Sequence, residues 1–364
     1  MNSSSRISAY RAYERVRVDF SERVERLAAG FDALLRLSHE VESPLLRELK
    51  PTIAVALKWK FDFLAKTLAS PFELEADVKY WHGVLEMLRS LGKQNWFELT
   101  SGRTPPVDAW RRTAESFDLG WTTTTEGEHF AASREIARER LEQILDMLGG
   151  PNWVAGKEIL DSGCGPGRYI DILRMYNPRR IVGLDQGTNL VVKLRERFVG
   201  DARVEIVKGT CERLDFPDAA FDFVISNGVL HHTPSDLRTM IRDHARVLRP
   251  GGVMFIMLVG KEGLELKMWE FVRNFLYDVP LQSMLDRFGS CMSALRLQGI
   301  VDHMYGEYQQ TSREDFEQWC DEPFTRIVRV PGVAGLDITP ELYTDDPYFA
   351  ARFGCGQLRY LCYR

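Results

Sequence analysis

The chain has 364 residues, 45% hydrophobic and 27% charged, a balance that argues against the disordered, fibrous and membrane-embedded classes and leaves room for one large α/β domain plus a smaller helical one. A formal net charge of −5 gives no general attraction for phosphate backbones, so no nucleic-acid partner is expected. Met1–Arg6 is Ser-rich without an apolar stretch, and no apolar run reaches the roughly 18 residues of a membrane span, so a cytoplasmic protein without a membrane partner is expected.

Residues 1–104 read as a helical N-terminal extension. Phe20, Val24, Leu27, Phe31, Leu34 and Leu35 recur at three- and four-residue spacing, which puts them on one helix face that must be buried. Ser70-Pro71-Phe72-Glu73 combines an N-cap, a first-turn proline and a capping-box acid, and Gly92 stops the apolar run that follows. Trp81, His82 and Trp96 in this region read as packing residues. Ser101–Pro106 is polar and Pro-rich, a joint to the second domain, 105–364, in which Thr122–Thr125 reads as loop. Cys164, Cys211, Cys291, Cys320, Cys355 and Cys362 show neither a CxxC pair nor a His at zinc spacing, so free thiols and no metal are expected.

From Lys157 onward short apolar runs alternate with helical stretches, the pattern of βαβ units in a parallel sheet. Strands are predicted near Glu158–Asp161, Ile181–Leu184, Val204–Val207, Phe221–Ser226, Val253–Leu258, Thr325–Val330 and Leu358–Tyr363, giving an α/β, seven-stranded, mostly parallel, doubly wound sheet. Between the fifth strand and a helix at 311–320 lies Lys261–Gln310, rich in large apolar residues such as Leu264, Trp269, Phe271 and Phe275; 261–310 reads as a helical cap, a lid that removes water from a site at the sheet edge.

The strongest local signal is Glu158-Ile-Leu-Asp-Ser-Gly-Cys-Gly-Pro-Gly-Arg168: an apolar strand, an acid, and glycines at 163, 165 and 167 opening a helix. Such glycines let the backbone turn tightly and approach a ligand closely. The third glycine comes one residue earlier than in the G-x-G-x-x-G of dinucleotide enzymes, and Arg168 takes that place. Ile181-Val-Gly-Leu-Asp185 is a second strand ending in an acid 18 residues after Gly167, placed to accept both hydroxyls of a ribose. Then come Gly209-Thr-Cys-Glu-Arg, Asn227-Gly-Val-Leu-His-His232 after the fourth strand, and Arg246-Val-Leu-Arg-Pro-Gly-Gly252.

In this order and spacing, over roughly residues 155–260, the blocks resemble class I (Rossmann-like) S-adenosylmethionine-dependent methyltransferases, close to the ubiquinone-biosynthesis-like branch of bacterial small-molecule enzymes. The resemblance implies S-adenosyl-L-methionine as cofactor and S-adenosyl-L-homocysteine as product. It implies that Asp161, Gly163, Cys164, Gly165 and Gly167 surround the methionine part, that Asp185 takes the ribose, that Gln186 flanks the adenine, and that Thr210 and Cys211 edge its ring. Asn227 would touch the methionine moiety. Where the family usually has Gly-Asp this chain has Gly209-Thr210, so Thr210 or Glu212 would replace the missing acid. Phe117-Asp-Leu-Gly-Trp121 with Glu126 resembles a Phe-x-x-x-Trp element of related enzymes and places Trp121 over the cofactor. Asp302 through Trp319, with Tyr305, Tyr308 and a helix opened by Thr311-Ser-Arg-Glu314, resembles the segment those enzymes set over the substrate, although Glu322-Pro-Phe324 replaces their usual Gly-Phe.

Methyl transfer needs alignment of donor and acceptor more than covalent help, but an oxygen or carbon acceptor also calls for a base. His232 and His231 lie just past the fourth strand, at the edge where open α/β sheets bind ligands, and with Tyr305 they are the catalytic candidates. Glu307, Tyr308 and His303 are candidates to bind a polar substrate. The expected function is methyl transfer by in-line displacement to a small organic acceptor, oxygen or carbon in preference to nitrogen, in secondary metabolism. One alternative is a macromolecular (RNA or protein) methyltransferase recognising its target through the helical extension; another is a non-catalytic cofactor-binding partner protein. The N-terminal helices or the lid offer surfaces for a homodimer.

Overall fold

The computed structural model describes residues 3–41, 44–67, 69–91, 109–123, 127–288, 299–333 and 337–364. Gly92, Trp96, the joint Ser101–Pro106, Glu126 and Cys291 lie outside them. The chain forms two compact units: 1–106 with 262–280 and 345–354, and 107–261 with 281–344 and 355–364.

The first unit is helical: α1 (Ser3–Glu40), α2 (Pro44–Lys66) and α3 (Leu74–Leu91), joined by α9 (Leu264–Phe275) and the short α12 (Phe349–Phe353). The spacing read in the sequence has its consequence here, because Leu27, Phe31 and Leu34 of α1 are buried on one face together with Leu37. Leu57 and Phe61 of α2 and Leu85 of α3 are buried as well, and Phe31 stacks on Phe271 of α9 at 5.0 Å. Ser70 caps the entry to α3 as expected, its Oγ accepting from the Phe72 amide at 3.4 Å, with Pro71–Glu73 forming a tighter first turn. Trp81 sets its ring edge-on to Tyr80 at 5.1 Å.

The insertion 261–310, expected to be one helical lid, is divided. Its α9 shares an apolar face with α1 and α2 and belongs to the helical unit, as do residues up to 280. Residues 281–310 belong to the sheet unit, with α10 (Leu281–Phe288) and a π-helical turn, Ile300–Tyr305, among the described residues. The apolar density read as a lid is, in α9, the core of a helical unit: Leu264, Met268, Trp269, Val272 and Phe275 are all buried.

The second unit is a seven-stranded sheet among the described residues, in the order β3-β2-β1-β4-β5-β7-β6. Its strands are β1 (Glu158–Ser162), β2 (Arg180–Asp185), β3 (Val204–Lys208), β4 (Phe221–Asn227), β5 (Leu248–Val259), β6 (Arg326–Arg329) and β7 (Gln357–Tyr363), each overlapping its predicted segment. The first five run parallel; β7 is antiparallel to both neighbours. β5 starts five residues before the predicted Val253, because Leu248 already pairs with Phe221 of β4 ahead of a register shift, and the Gly251 amide and the Gly252 carbonyl bond to Arg364. The central strands read as continuous apolar runs because both faces are covered: Ile159, Ile181, Phe223 and Phe255 in one core, Leu160, Val182, Val224 and Met254 in the other. Covering helices are α4 (Ala109–Thr123), α5 (Gly127–Met147), α6 (Arg168–Leu173), α7 (Thr188–Phe198), α8 (Leu237–Val247) and α11 (Arg313–Cys320), the last capped by Ser312 within the predicted Thr311–Glu314 start. Thr122 and Thr123, read as loop, instead close α4. No helix among the described residues is long and apolar enough to cross a membrane.

Strand order turns in opposite directions from β1 and β4. That switch point leaves a crevice beyond their carboxyl ends, the usual ligand position in such sheets.

Candidate functional site

A cavity opens at that crevice, and its wall is built from the carboxyl ends of the parallel strands and the residues that follow them: Gly163 and Gly165 after β1, Asp185 and Gln186 at the end of β2, Cys211 after β3, Asn227 at the end of β4 and Met257 and Val259 of β5. The β1 loop is held by β2, since the Gly163 and Cys164 amides both donate to the Leu184 carbonyl, at 2.8 and 2.9 Å. Gly163 takes φ +77° and a Cβ there would lie 2.3 Å from Val229 Cγ1, so a side chain is excluded by strain and by space. At Gly165, with φ +49°, a Cβ would meet no atom within 4 Å: the backbone itself is bared to the cavity.

Asp185 joins the two loops. Its Oδ2 accepts from the Gly165 amide at 3.0 Å and its Oδ1 from the Gly187 amide at 2.9 Å. Burial raises its pKa against those amide bonds. Asp161, at the end of β1, is 2% exposed and lies behind the wall. Its Oδ2 has no hydrogen-bond partner, and burial pushes its carboxyl up to about 7, opposed by the charge of Arg168.

α4 supplies the aromatic wall. Phe117 and Trp121 stack on each other at 6.3 Å, the Arg168 guanidinium lies 5.1 Å from the Trp121 ring centre, and Phe117 meets the edge of His232 at 4.8 Å. Between them Asp118 caps α7 from outside: its Oδ1 accepts from the Leu190 amide at 2.9 Å, and its Oδ2 from the Asn189 amide at 3.3 Å and Nδ2 at 2.9 Å.

Both histidines line the cavity. His232 Nδ1 lies 2.6 Å from the Glu307 carbonyl, an obligate acceptor, so Nδ1 carries a hydrogen and Nε2 is the nitrogen able to take a proton. The segment that holds it is stapled in turn: the Glu307 amide donates to Thr113 Oγ1 at 2.9 Å, and the Gln309 amide to the His231 carbonyl at 2.7 Å. His231 is 2% exposed, its Nδ1 has no partner, and burial drives its pKa well below the ordinary value, with His232 and His303 adding in the same direction. A ring that resists protonation this strongly is a poor base.

Several expected residues are not on the wall. Cys164, Gly167, Thr210 and Tyr305 lie off it. Cys164 is buried under the loop, and Gly167 backs onto Leu194 and Phe198 of α7. The Thr210 hydroxyl accepts from the Glu212 amide at 3.1 Å and lies 3.4 Å from its carboxylate, and Glu212 contacts Ser235, so this pair closes on itself instead of turning to the cavity. Tyr305 and Tyr308 are buried, Tyr308 edge-on to His232 at 6.1 Å, whereas Asp302 and His303 of the same segment reach the wall. Burial raises the Cys164 thiol well above its usual range and the Cys211 thiol to about 12, so neither is a thiolate near neutral pH. Sequence reasoning missed Arg140, Asp302 and Asp118. No motif marks Arg140; Asp302 opens the Asp302–Trp319 segment and Asp118 lies inside the Phe-x-x-x-Trp element, but neither stands out there as a site residue.

Residues 160–256 match the family model described as a methyltransferase domain. Over 135 residues the chain is 34% identical to the fatty-acid O-methyltransferase of Mycolicibacterium smegmatis, covering 37% of this chain and 47% of that protein. It is 30% identical over 160 residues to the 27-O-demethylrifamycin SV methyltransferase of Amycolatopsis mediterranei, 42% of this chain and 58% of that one. With the sterol 24-C-methyltransferase of Eremothecium gossypii it shares 28% identity over 144 residues, 38% of each. The chain thus spans less than two thirds of each of these relatives. The matched segment, residues 160–256, supplies the strand-end part of the crevice and is similar to methyltransferase domains.

Proposed function

We propose that the protein transfers a methyl group from S-adenosylmethionine to a small organic acceptor, at oxygen or carbon. The carrying observation is the convergence, on one cavity at the switch point, of the bared backbone at Gly165, the carboxylate of Asp185 and a histidine whose Nδ1 is committed to a carbonyl. The residues fit the cofactor: Asp161 presents a partnerless buried oxygen suited to an ammonium, and Asp185 stands at the ribose position with Gln186 and Cys211 beside it. When bound, the cofactor supplies an electrophilic methyl on sulfur.

The chain contributes positioning and a proton acceptor. Phe117 and Trp121 line the cavity, and Phe117 fixes His232 from one side while Glu307 fixes it from the other. His232 takes the acceptor's proton at Nε2 as the new bond forms. Its neighbour His231 stays neutral and does not compete for that proton. The relatives named above methylate, by their names, a fatty acid, a rifamycin precursor and a sterol; two carry the methyl on oxygen and one on carbon, which favours those atoms here.

Titration calorimetry and a product assay test the reading together. S-adenosylmethionine and S-adenosylhomocysteine should give saturable heat and NADH none, and a panel of small hydroxylated or acidic metabolites should contain one that yields S-adenosylhomocysteine. Methylation of a transfer RNA or protein with no small acceptor would overturn the substrate class.

A further inference from the structure

Away from the cavity, one carboxylate of α6 is shared by three arginines from separate segments. Asp171 Oδ2 accepts from Arg134 Nε of α5, and its Oδ1 meets Arg174 Nη2, in the turn after α6, at 3.1 Å and Arg197 Nη2 of α7 at 3.5 Å. None of these four residues lines the cavity. Among the described residues, Asp171 is the only carboxylate within 4.0 Å of Arg134 or of Arg174, so these two alone carry one more positive charge than the acid they share. The charges of Arg174 and Arg134 also reach Asp201 and Glu135, but those acids are taken by Arg203, at 2.8 Å, and by Arg138.

Neighbouring side chains hold the cluster in place. Arg197 lies 3.9 Å from the centre of the Phe130 ring, Arg197 and Arg174 lie 5.3 and 5.7 Å from that of Phe198, and both rings are buried; Arg134 Nη2 reaches Met175 Sδ at 3.5 Å. Guanidinium groups anchored in this way lose little freedom on binding a ligand. The side chains of Arg134, Arg174 and Arg197 are 27%, 41% and 25% exposed against 10% for Asp171, so a solute meets the donors before it meets the acid. A phosphoryl group, with oxygens in several directions, suits three guanidinium groups arriving from separate segments better than a flat carboxylate does. We infer that Arg134, Arg174 and Arg197 form a second site, outside the cavity, for the phosphoryl group of a small phosphorylated metabolite. The chain's net charge of −5 disfavours a long polyanion such as nucleic acid there. The site adjoins the glycine loop, since the Asp171 amide donates to the Gly167 carbonyl at 3.0 Å and Arg197 Nη1 to the Pro166 carbonyl at 3.4 Å. Anion binding at this place is independent of the chemistry proposed for the cavity.

Calorimetry on the full chain, with inorganic pyrophosphate as the probe, tests the assignment. Wild type should show a single saturating event at or below millimolar pyrophosphate, weakened as sodium chloride is raised. Arg174→Ala leaves Asp171 paired with Arg134 and should weaken pyrophosphate about tenfold, while Arg174→Lys, which keeps the charge and loses the fork, should fall between the two. Asp171→Asn should tighten binding, because it removes the acid that competes for the same donors; a cluster that only braces the helices gives no such gain. Pyrophosphate taken up by wild type only far above millimolar, or bound equally by wild type and Arg174→Ala, would overturn the inference. So would a short single-stranded oligonucleotide that binds through Arg174 more tightly than pyrophosphate does, which would assign the arginines to nucleic acid. Should Arg174→Ala fail to fold, Arg174→Lys carries the same comparison, and equal binding by that variant and wild type counts against the site.

Discussion

In the helical unit Lys50 meets Asp278 at 2.8 Å with both side chains nearly buried, and Arg352 meets Asp346 at 2.7 Å with both wholly buried. At the carboxyl edge of the sheet Asp161 is as deeply enclosed, yet one of its oxygens meets nothing. Burying a charge is tolerated where the opposite charge is supplied. Both units supply it from their own chain at such pairs, the sheet unit at Asp337 with Arg140 and Arg359. Asp161 differs in that one of its buried oxygens meets no donor.

Five changes probe that contrast. Gly163→Ala should have the largest effect, combining left-handed strain with the clash on Val229: a stability loss of roughly 2–6 kcal/mol in urea unfolding and no heat for S-adenosylhomocysteine, partly restored by adding Val229→Ala. Lys50→Met should cost about 3–5 kcal/mol by stranding Asp278, while a melting shift on adding S-adenosylhomocysteine persists; loss of that shift would mean the two kinds of buried charge are not separate.

Asp161→Asn should move stability the other way. Between its ordinary value near 4 and its folded value of about 7, the folded protein holds a proton on Asp161 that the unfolded chain has released, so stability falls as pH rises through that window and the lost part stays lost above it. The variant should therefore gain on the order of 2–4 kcal/mol relative to wild type at pH 8 and little at pH 4, and lose cofactor affinity. A variant equally unstable at both pH values would sink the idea that Asp161 is a strained receptor. His232→Ala should lower turnover by roughly 10²-fold with S-adenosylhomocysteine affinity within about twofold; near-normal turnover would reduce the ring to packing against Phe117. Arg111→Ala, which breaks an exposed pair with Glu115, should leave the unfolding midpoint unmoved.

The sequence by itself determined the parts of the site that a backbone needs. Gly163 is legible because only glycine tolerates its geometry, Asp185 because it ends an apolar strand at a fixed distance, and the strands because burial on both faces leaves continuous apolar runs. The tertiary structure decided what depends on segments distant in the chain. Arg140 and Asp337 are nearly 200 residues apart, and neither has a local pattern that announces the other. The apolar stretch 261–310 looks the same whether it caps a site or fills a core, because periodicity reports that a face is buried and not against what; contact with α1 and α2 put α9 in the helical unit. The resemblance puts Thr210 at the adenine in the place of the family's usual acid, but its short hydroxyl finds its partner two residues away at Glu212, a choice made by local hydrogen bonding that no motif encodes.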